Sequence, residues 1–312
     1  MTVNKIDYKS KPAYSIENDC MKTIFLEQGA KMVSLYDKSA KRELLIQSRA
    51  DTLRQHVYGS GYNETDVCGF DDMFPNIDEC YYERYPWDGI KMPDHGEVWS
   101  IGWKYENNND CVVMKANGVR FPYLLSKKIM FTQVNVLSIE YELANNSSFE
   151  FDCLWAAHVM LQLDGDEKFS FPQEKNLFVT YSRDGILGNY GKRISLADFF
   201  TKSDYLNFFS AEINAGCYME KFYCTERLNK NVLSVFYPSS ERLYTFETSA
   251  DTVPYLGLLV SKGCHIGNCM IIEPCTAPLD RPDRARAFGA ECVLPPYGKK
   301  IWTLKISMQE KK

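Results

Sequence analysis

The chain has 312 residues, 45% of them hydrophobic, and its 36 basic and 41 acidic side chains leave a net charge of −5. A chain of this length buries roughly 75% of its unfolded surface, and its charges form no basic stripe, which argues against a nucleic-acid partner. No run approaches the roughly 18 apolar residues of a membrane helix, and the first residues carry no apolar signal segment, so a soluble cytoplasmic protein with no membrane partner is expected.

Taken in chain order, the first twenty residues fit either a loosely held arm or an edge strand. Gly29–Glu43 reads as an early hairpin, with Met32, Ser34 and Tyr36 opposing Val33 and Leu35 and a polar turn over Asp37–Lys41. Leu137, Ile139, Tyr141 and Leu143 alternate with polar residues and stop at the turn cluster Asn145-Asn146-Ser147-Ser148. Ser195–Asn207 is the best short helix candidate. Near the C-terminus Trp302, Leu304, Ile306 and Met308 repeat the strand period of two. Aromatic content of 14%, rich in Tyr and Phe, suits half-buried pleated surfaces. Antiparallel sheets with one face on a core are therefore expected. No linker, low-complexity segment or repeat interrupts the chain, so one β-rich domain over residues 1–312 is expected.

Eleven cysteines stand at irregular spacing, most among apolar neighbours, as expected of reduced core residues. The sharper alternative, a metal site from Cys264, His265, Cys269 and Cys275, lacks the C-x-x-C knuckle of structural zinc. No metal is expected.

The stretch 69–103 is the most informative. It gathers carboxylates (Asp71, Asp72, Asp78, Asp94 and Glu97 among them) with Tyr81, Tyr82, Tyr85, Trp87, Trp99 and Trp103, and it contains His95. Prolines and glycines break its periodicity, so it reads as a loop. Carboxylates accept hydroxyl hydrogen bonds and flat rings cover the C–H face of a sugar. A polyhydroxylated ligand is the natural occupant.

Four histidines occur. His56 reads as ordinary surface and His265 as structural or solvated. His158 ends a strand that becomes apolar on both faces, next to the small Ala156 and Ala157; it is either a satisfied core histidine or an acid/base group with room for a ligand. Glu273 follows the apolar run Cys269–Ile272 and precedes Pro274. It is either a strand-end glutamate or a general base whose pKa burial raises. His95, between Asp94 and Gly96, is a turn histidine or a ligand contact. Asp280, Arg281, Asp283, Arg284 and Arg286 read as a solvated mixed-charge loop.

These segments resemble the aldose 1-epimerase (galactose mutarotase-like) family. The resemblance rests on Gly29-Ala30-Lys31-Met32-Val33-Ser34-Leu35, Asp94-His95-Gly96, the strand ending at Ala157-His158, and Ile272-Glu273-Pro274-Cys275-Thr276-Ala277-Pro278-Leu279-Asp280. It implies an all-β fold, a β-supersandwich of stacked antiparallel sheets with a concave face open to a hexose. It also implies His158 as the general acid at the ring oxygen, Glu273 as the general base on the anomeric hydroxyl, and His95 as a substrate-orienting histidine. The reaction needs no cofactor, and the partner is a small monosaccharide, handled by a monomer or weak homodimer. Arg84 is a distant stand-in for the family's early arginine, while Asp71 or Asp72 supplies hydroxyl contacts and Trp99 an aromatic wall. The related hexose-6-phosphate epimerases carry an arginine after His-Gly; here Glu97-Val98-Trp99 follows, which favours a neutral sugar. The alternatives are a non-catalytic sugar binder on the same fold, a hexose-6-phosphate 1-epimerase, and a glycoside hydrolase using Asp72 and Glu273.

Overall fold

The structure is a computed structural model that describes residues 1–108, 110–172, 176–183, 185–195 and 217–311. Two large antiparallel sheets dominate it, one of 12 strands and one of 8. The 12-stranded sheet begins at Thr2–Tyr8, so the N-terminal segment is an edge strand and not a loose arm. It runs through Lys11–Glu17, Met21–Leu26, Met32–Asp37 and Phe70–Met73 to Ala156–Gln162, Gly267–Cys275, Tyr255–Cys264 and Tyr218–Cys224, and ends with Asn176–Ser182 and Arg193–Ser195. The early hairpin forms, with Met32–Asp37 returning as Arg42–Glu43. The helix expected over Ser195–Asn207 lies outside the described residues, except that Ser195 itself ends a strand.

The 8-stranded sheet supplies the opposite wall. Its strands Val136–Asn145 and Lys299–Glu310 pair so that Leu137 faces Ile306, Ile139 faces Leu304, and Tyr141 faces Trp302. These are the alternating residues of the two period-two segments, and all are buried. Tyr141 and Trp302 stack at 5.3 Å and 7°, and Trp155, which immediately precedes the strand Ala156–Gln162 of the 12-stranded sheet, lies 5.0 Å from Trp302. The sheets thus meet through flat rings, which contribute roughly 0.5–1.5 kcal/mol per pair beyond their burial.

A sealed ion pair crosses this dry interface. Asp72 accepts from Lys127 Nζ at 2.8 Å and from Trp155 Nε1 at 3.1 Å, and Lys127 also donates to the carbonyl of Ala30 at 2.5 Å. Both ionic side chains are sealed from solvent. A buried pair is expensive to break because the remaining charge has nowhere to go.

Cysteine use departs from expectation at one place. Cys217 and Cys264 form a disulfide, joining the approach to Tyr218–Cys224 to the end of Tyr255–Cys264. Nine cysteines are free and seven of those are buried. Cys269 and Cys275 are among the buried ones, so with Cys264 bonded to Cys217 the four residues considered for a metal do not gather. Among the described residues no helix is long and apolar enough to cross a membrane.

Replacing Lys127 by Met is expected to destabilise the fold by about 3–5 kcal/mol by leaving Asp72 charged and unpaired. The double replacement Asp72→Asn with Lys127→Met recovers most of that loss. Urea unfolding of the three proteins checks it; a single variant within about 1 kcal/mol of wild type would show the pair to be unimportant.

Candidate active site

Residues opposite one another in an antiparallel sheet share a face. In the 12-stranded sheet Asp71 pairs with His158. The register that pairs Ala156 with Cys275 and Val159 with Ile272 sets His158 opposite Glu273. Glu273 pairs with Gly257, and Gly257 with Tyr223. Asp71, His158, Glu273, Gly257 and Tyr223 thus form one row across five strands, with Lys221 on the same face two residues before Tyr223.

Within the row, His158 Nε2 lies 3.7 Å from Glu273 Oε2, close enough to interact but beyond a hydrogen bond. Glu273 Oε2 is instead engaged by Lys221 Nζ at 2.9 Å and the Tyr223 hydroxyl at 3.1 Å. Both groups also reach Asp280 Oδ1, each at 2.6 Å. The glycine between makes this possible. A Cβ at Gly257 would sit 2.5 Å from Tyr223 Cε1 and 3.1 Å from Glu273 Oε2. Of the buried polar side-chain atoms that lack a hydrogen-bond partner among the described residues, Asp71 Oδ1, His158 Nε2 and Glu273 Oε1 gather in this row, while others, Ser15 Oγ, Asn76 Oδ1 and Trp302 Nε1 among them, are scattered elsewhere. Buried polar atoms are rarely left so.

His95 closes the site from the loop. It sits at φ +58° and is followed by Gly96 at φ +76°. A Cβ at Gly96 would fall 2.2 Å from the carbonyl oxygen of Phe74, so the His-Gly pair is dictated by close backbone approach. Although neighbours in sequence, Asp94 Oδ1 and His95 Nδ1 meet at 2.7 Å. The Tyr62 ring stacks on His95 at 4.2 Å, and His95 stands edge-on to His158 at 5.3 Å. The Tyr62 hydroxyl and Lys31 Nζ both hold Asp71 Oδ2, at 2.6 and 2.8 Å.

Burial drives the electrostatics. It depresses His158 well below an ordinary imidazole, helped by His95 and Lys221. It raises Glu273, against the opposing pull of Lys221. Lys221 itself is raised: burial disfavours its charge, but Asp280 and Glu273 more than compensate. Asp94 lies below the usual carboxylate range despite its burial, because His95 hydrogen-bonds to it.

Several expected site residues are placed elsewhere. Asp72 follows Asp71 in the strand Phe70–Met73, so it points to the other face, into the sheet-to-sheet pair with Lys127. This separates the Asp71-Asp72 pair and leaves Asp72 unable to partner Glu273 in a hydrolase. Arg84 is engaged by Asp152 at 2.6 Å and Glu150 at 2.8 Å and bonds to no residue of the row. Trp99 is fully buried behind Tyr62, 5.1 Å away and edge-on. Glu97 is not a charge facing a ligand: it is buried and accepts from the hydroxyls of Tyr58 and Tyr123 and the N–H groups of Val119 and Arg120. Asp280, read as solvated, is buried against Lys221 and Tyr223. Sequence reasoning missed Lys31, Tyr62, Lys221 and Tyr223 as members of the site.

A polar groove of about 690 Å³ lies at the other ends of the central strands, lined by Gln47, Arg49, Asp66, Gln162, His265 and Asn268 among others. It includes none of the row. Three unsatisfied buried atoms gather in the row and none of them lines the groove, so the row is the candidate site.

No protein-family model matches this sequence, and no curated protein matches it either. Solved structures do. The Slr1438 protein from Synechocystis sp. PCC 6803 is 12% identical, with a TM-score of 0.71 over 100% of both chains. A galactose mutarotase-like protein from Clostridium acetobutylicum is 13% identical, with a TM-score of 0.69 over 99% of this chain and 98% of its own. A galactose mutarotase related enzyme from Lactobacillus acidophilus is 14% identical, with a TM-score of 0.67 over 96% and 98%. The chain has the galactose mutarotase-like fold. Identities this low establish architecture alone, so in this mutarotase-like chain the role of each residue rests on its own geometry.

The depressed His158 has a consequence for stability. Between its folded and unfolded pKa the unfolded chain binds the extra proton, so stability falls as pH drops below about 6.5. Replacing His158 by Gln removes that contribution, and its unfolding free energy is expected to fall less between pH 7 and 5 than that of wild type. Equal slopes in denaturant titrations at the two pH values would show that His158 is not the depressed group.

Proposed function

We propose that this protein is an aldose 1-epimerase that interconverts the α and β anomers of a neutral hexose. The observation that carries the reading is the free pair of atoms in the row, Glu273 Oε1 and His158 Nε2, on adjacent strands of one face with His95 beside them. A hexose set over the row places its anomeric hydroxyl at Glu273 and its ring oxygen at His158.

The chemistry then balances without a cofactor. Glu273 takes the proton of the C1 hydroxyl as C1=O forms and the bond from C1 to the ring oxygen breaks. That oxygen receives the proton of the His158 imidazolium, giving the open aldehyde. Rotation about C1–C2 and closure from the other face yield the second anomer, with each proton returning by the reverse path. Proton transfers of this kind are worth ~10²–10⁴-fold each. His95, fixed by Asp94 and Tyr62, orients a hydroxyl, and Asp71 Oδ1 accepts another.

Charge supports a neutral substrate, though not through Glu97. The two lysines facing the site, Lys31 and Lys221, are already matched by Asp71 and by Glu273 with Asp280. Among the described residues facing the row neither lysine is left unpaired for a phosphate, which is normally held by Arg or Lys.

Freshly dissolved α-glucose and α-galactose should reach anomeric equilibrium faster with the protein, as followed by polarimetry or NMR. His158→Ala and Glu273→Gln should each lose ~10²-fold or more of that acceleration. Binding of sugars with no acceleration would replace the enzyme by a binder. Because His158 must carry a proton that burial withdraws, kcat/KM should rise as pH falls from 8 toward 6, with its optimum below about 6.5. A rate that stays flat or declines over that range would remove His158 as the acid.

A further inference from the structure

The proton transfers use neither Lys221, Tyr223 nor Asp280, yet these three are the most tightly organised group in the site. Glu273 is held one-sidedly: Oε2 receives both Lys221 and Tyr223, while Oε1 receives nothing. We propose that Lys221 is a positioning residue: its ammonium occupies Oε2 so that Oε1 alone is offered to the substrate, and its charge acts on Glu273 and His158 together. This rests on the epimerase reading for its catalytic consequence, but its electrostatic half concerns the free protein.

Geometry makes Lys221 the pivot. It arises from Tyr218–Cys224, two strands beyond Glu273, and meets the carboxylate above the intervening strand, where a Cβ at Gly257 would stand 3.1 Å from Glu273 Oε2. A compact ammonium can touch two carboxylates at once, and here it bridges Glu273 and Asp280 at 2.9 and 2.6 Å. The other groups around Glu273 are His158 from the neighbouring strand, Tyr223 beside Lys221, Cys275 on its own strand, and Asp280 from the following loop. Asp280 in turn faces Asp78, which Arg284 holds at 2.9 Å. Around His158 stand His95 at 5.3 Å, Asp71 across the strand pair and Glu273. Among the groups facing Glu273, Lys221 does most to favour its carboxylate, with the Tyr223 hydroxyl assisting, and the Lys221 charge is also one of the two that disfavour the His158 imidazolium. A single cation therefore sets both proton affinities in the same direction: it lowers the base and lowers the acid.

The expected signature is a displaced pH profile. In Lys221→Met both limbs of kcat/KM move to higher pH, the optimum rises, and activity at the wild-type optimum drops at least tenfold. Lys221→Arg returns the limbs toward their wild-type positions. The imidazole C–H resonance of His158, followed by NMR in the intact protein without sugar, titrates at higher pH in Lys221→Met than in wild type. If the single variant does not fold because two carboxylates lose their counter-ion, Lys221→Met with Asp280→Asn keeps the net charge, and its His158 resonance must still titrate at higher pH. A uniform loss of activity with unmoved limbs and an unmoved His158 resonance would reduce Lys221 to a structural role and overturn the proposal. If wild type accelerates no aldose, the epimerase reading fails, and the His158 titration still decides the role of Lys221.

Discussion

Antiparallel register is the constraint on which everything else depends. It fixes neighbours across strands at about 4.5–5.5 Å on one face, and it turns residues distant in sequence into the row Asp71, His158, Glu273, Gly257 and Tyr223. No loop has to deliver His158 or Glu273, the proposed acid and base. His95 is held in place in its loop by Asp94, Tyr62 and the tight approach of Gly96 to Phe74. In the proposed reaction this division would keep the reacting atoms within narrow geometric limits.

The second organising element is a set of buried lysines, each used differently. Lys127 faces the sandwich interior and neutralises Asp72, where its work is cohesion. Lys31 faces the site and, with Tyr62, fixes one oxygen of Asp71 while leaving the other open. Lys221 does the same for Glu273. Both carboxylates thus follow one pattern, with one oxygen engaged and the other, also buried, without a hydrogen-bond partner.

Much of the fold was legible because strand periodicity is a local property. The alternation at 137–143 and 302–308 named core residues that do pair across the 8-stranded sheet. His158 and Glu273 were visible for a related reason: each is a polar group next to an apolar run, a local anomaly. What failed was everything depending on a partner the sequence does not name. Asp71 and Asp72 looked like one pair because their segment read as loop; as strand residues they face opposite ways. Glu97 looked like a charge aimed at a ligand because its four donors come from three other segments. Asp280 looked solvated among its charged neighbours, and Lys221 and Tyr223 had no local mark at all. Their significance comes from a glycine in an intervening strand, which only the register reveals.

The period of two also makes the molecule brittle in one particular way. A substitution at His158 or Glu273 changes chemistry at a single point, but a one-residue insertion or deletion between either residue and the anchor of its strand reverses which face it occupies. The displaced side chain would enter the aromatic interior, and its neighbour, Ala157 or Pro274, would take its place over the ligand. Within these strands a change of length is therefore costlier than most changes of residue identity, and length variation is expected in the loops instead.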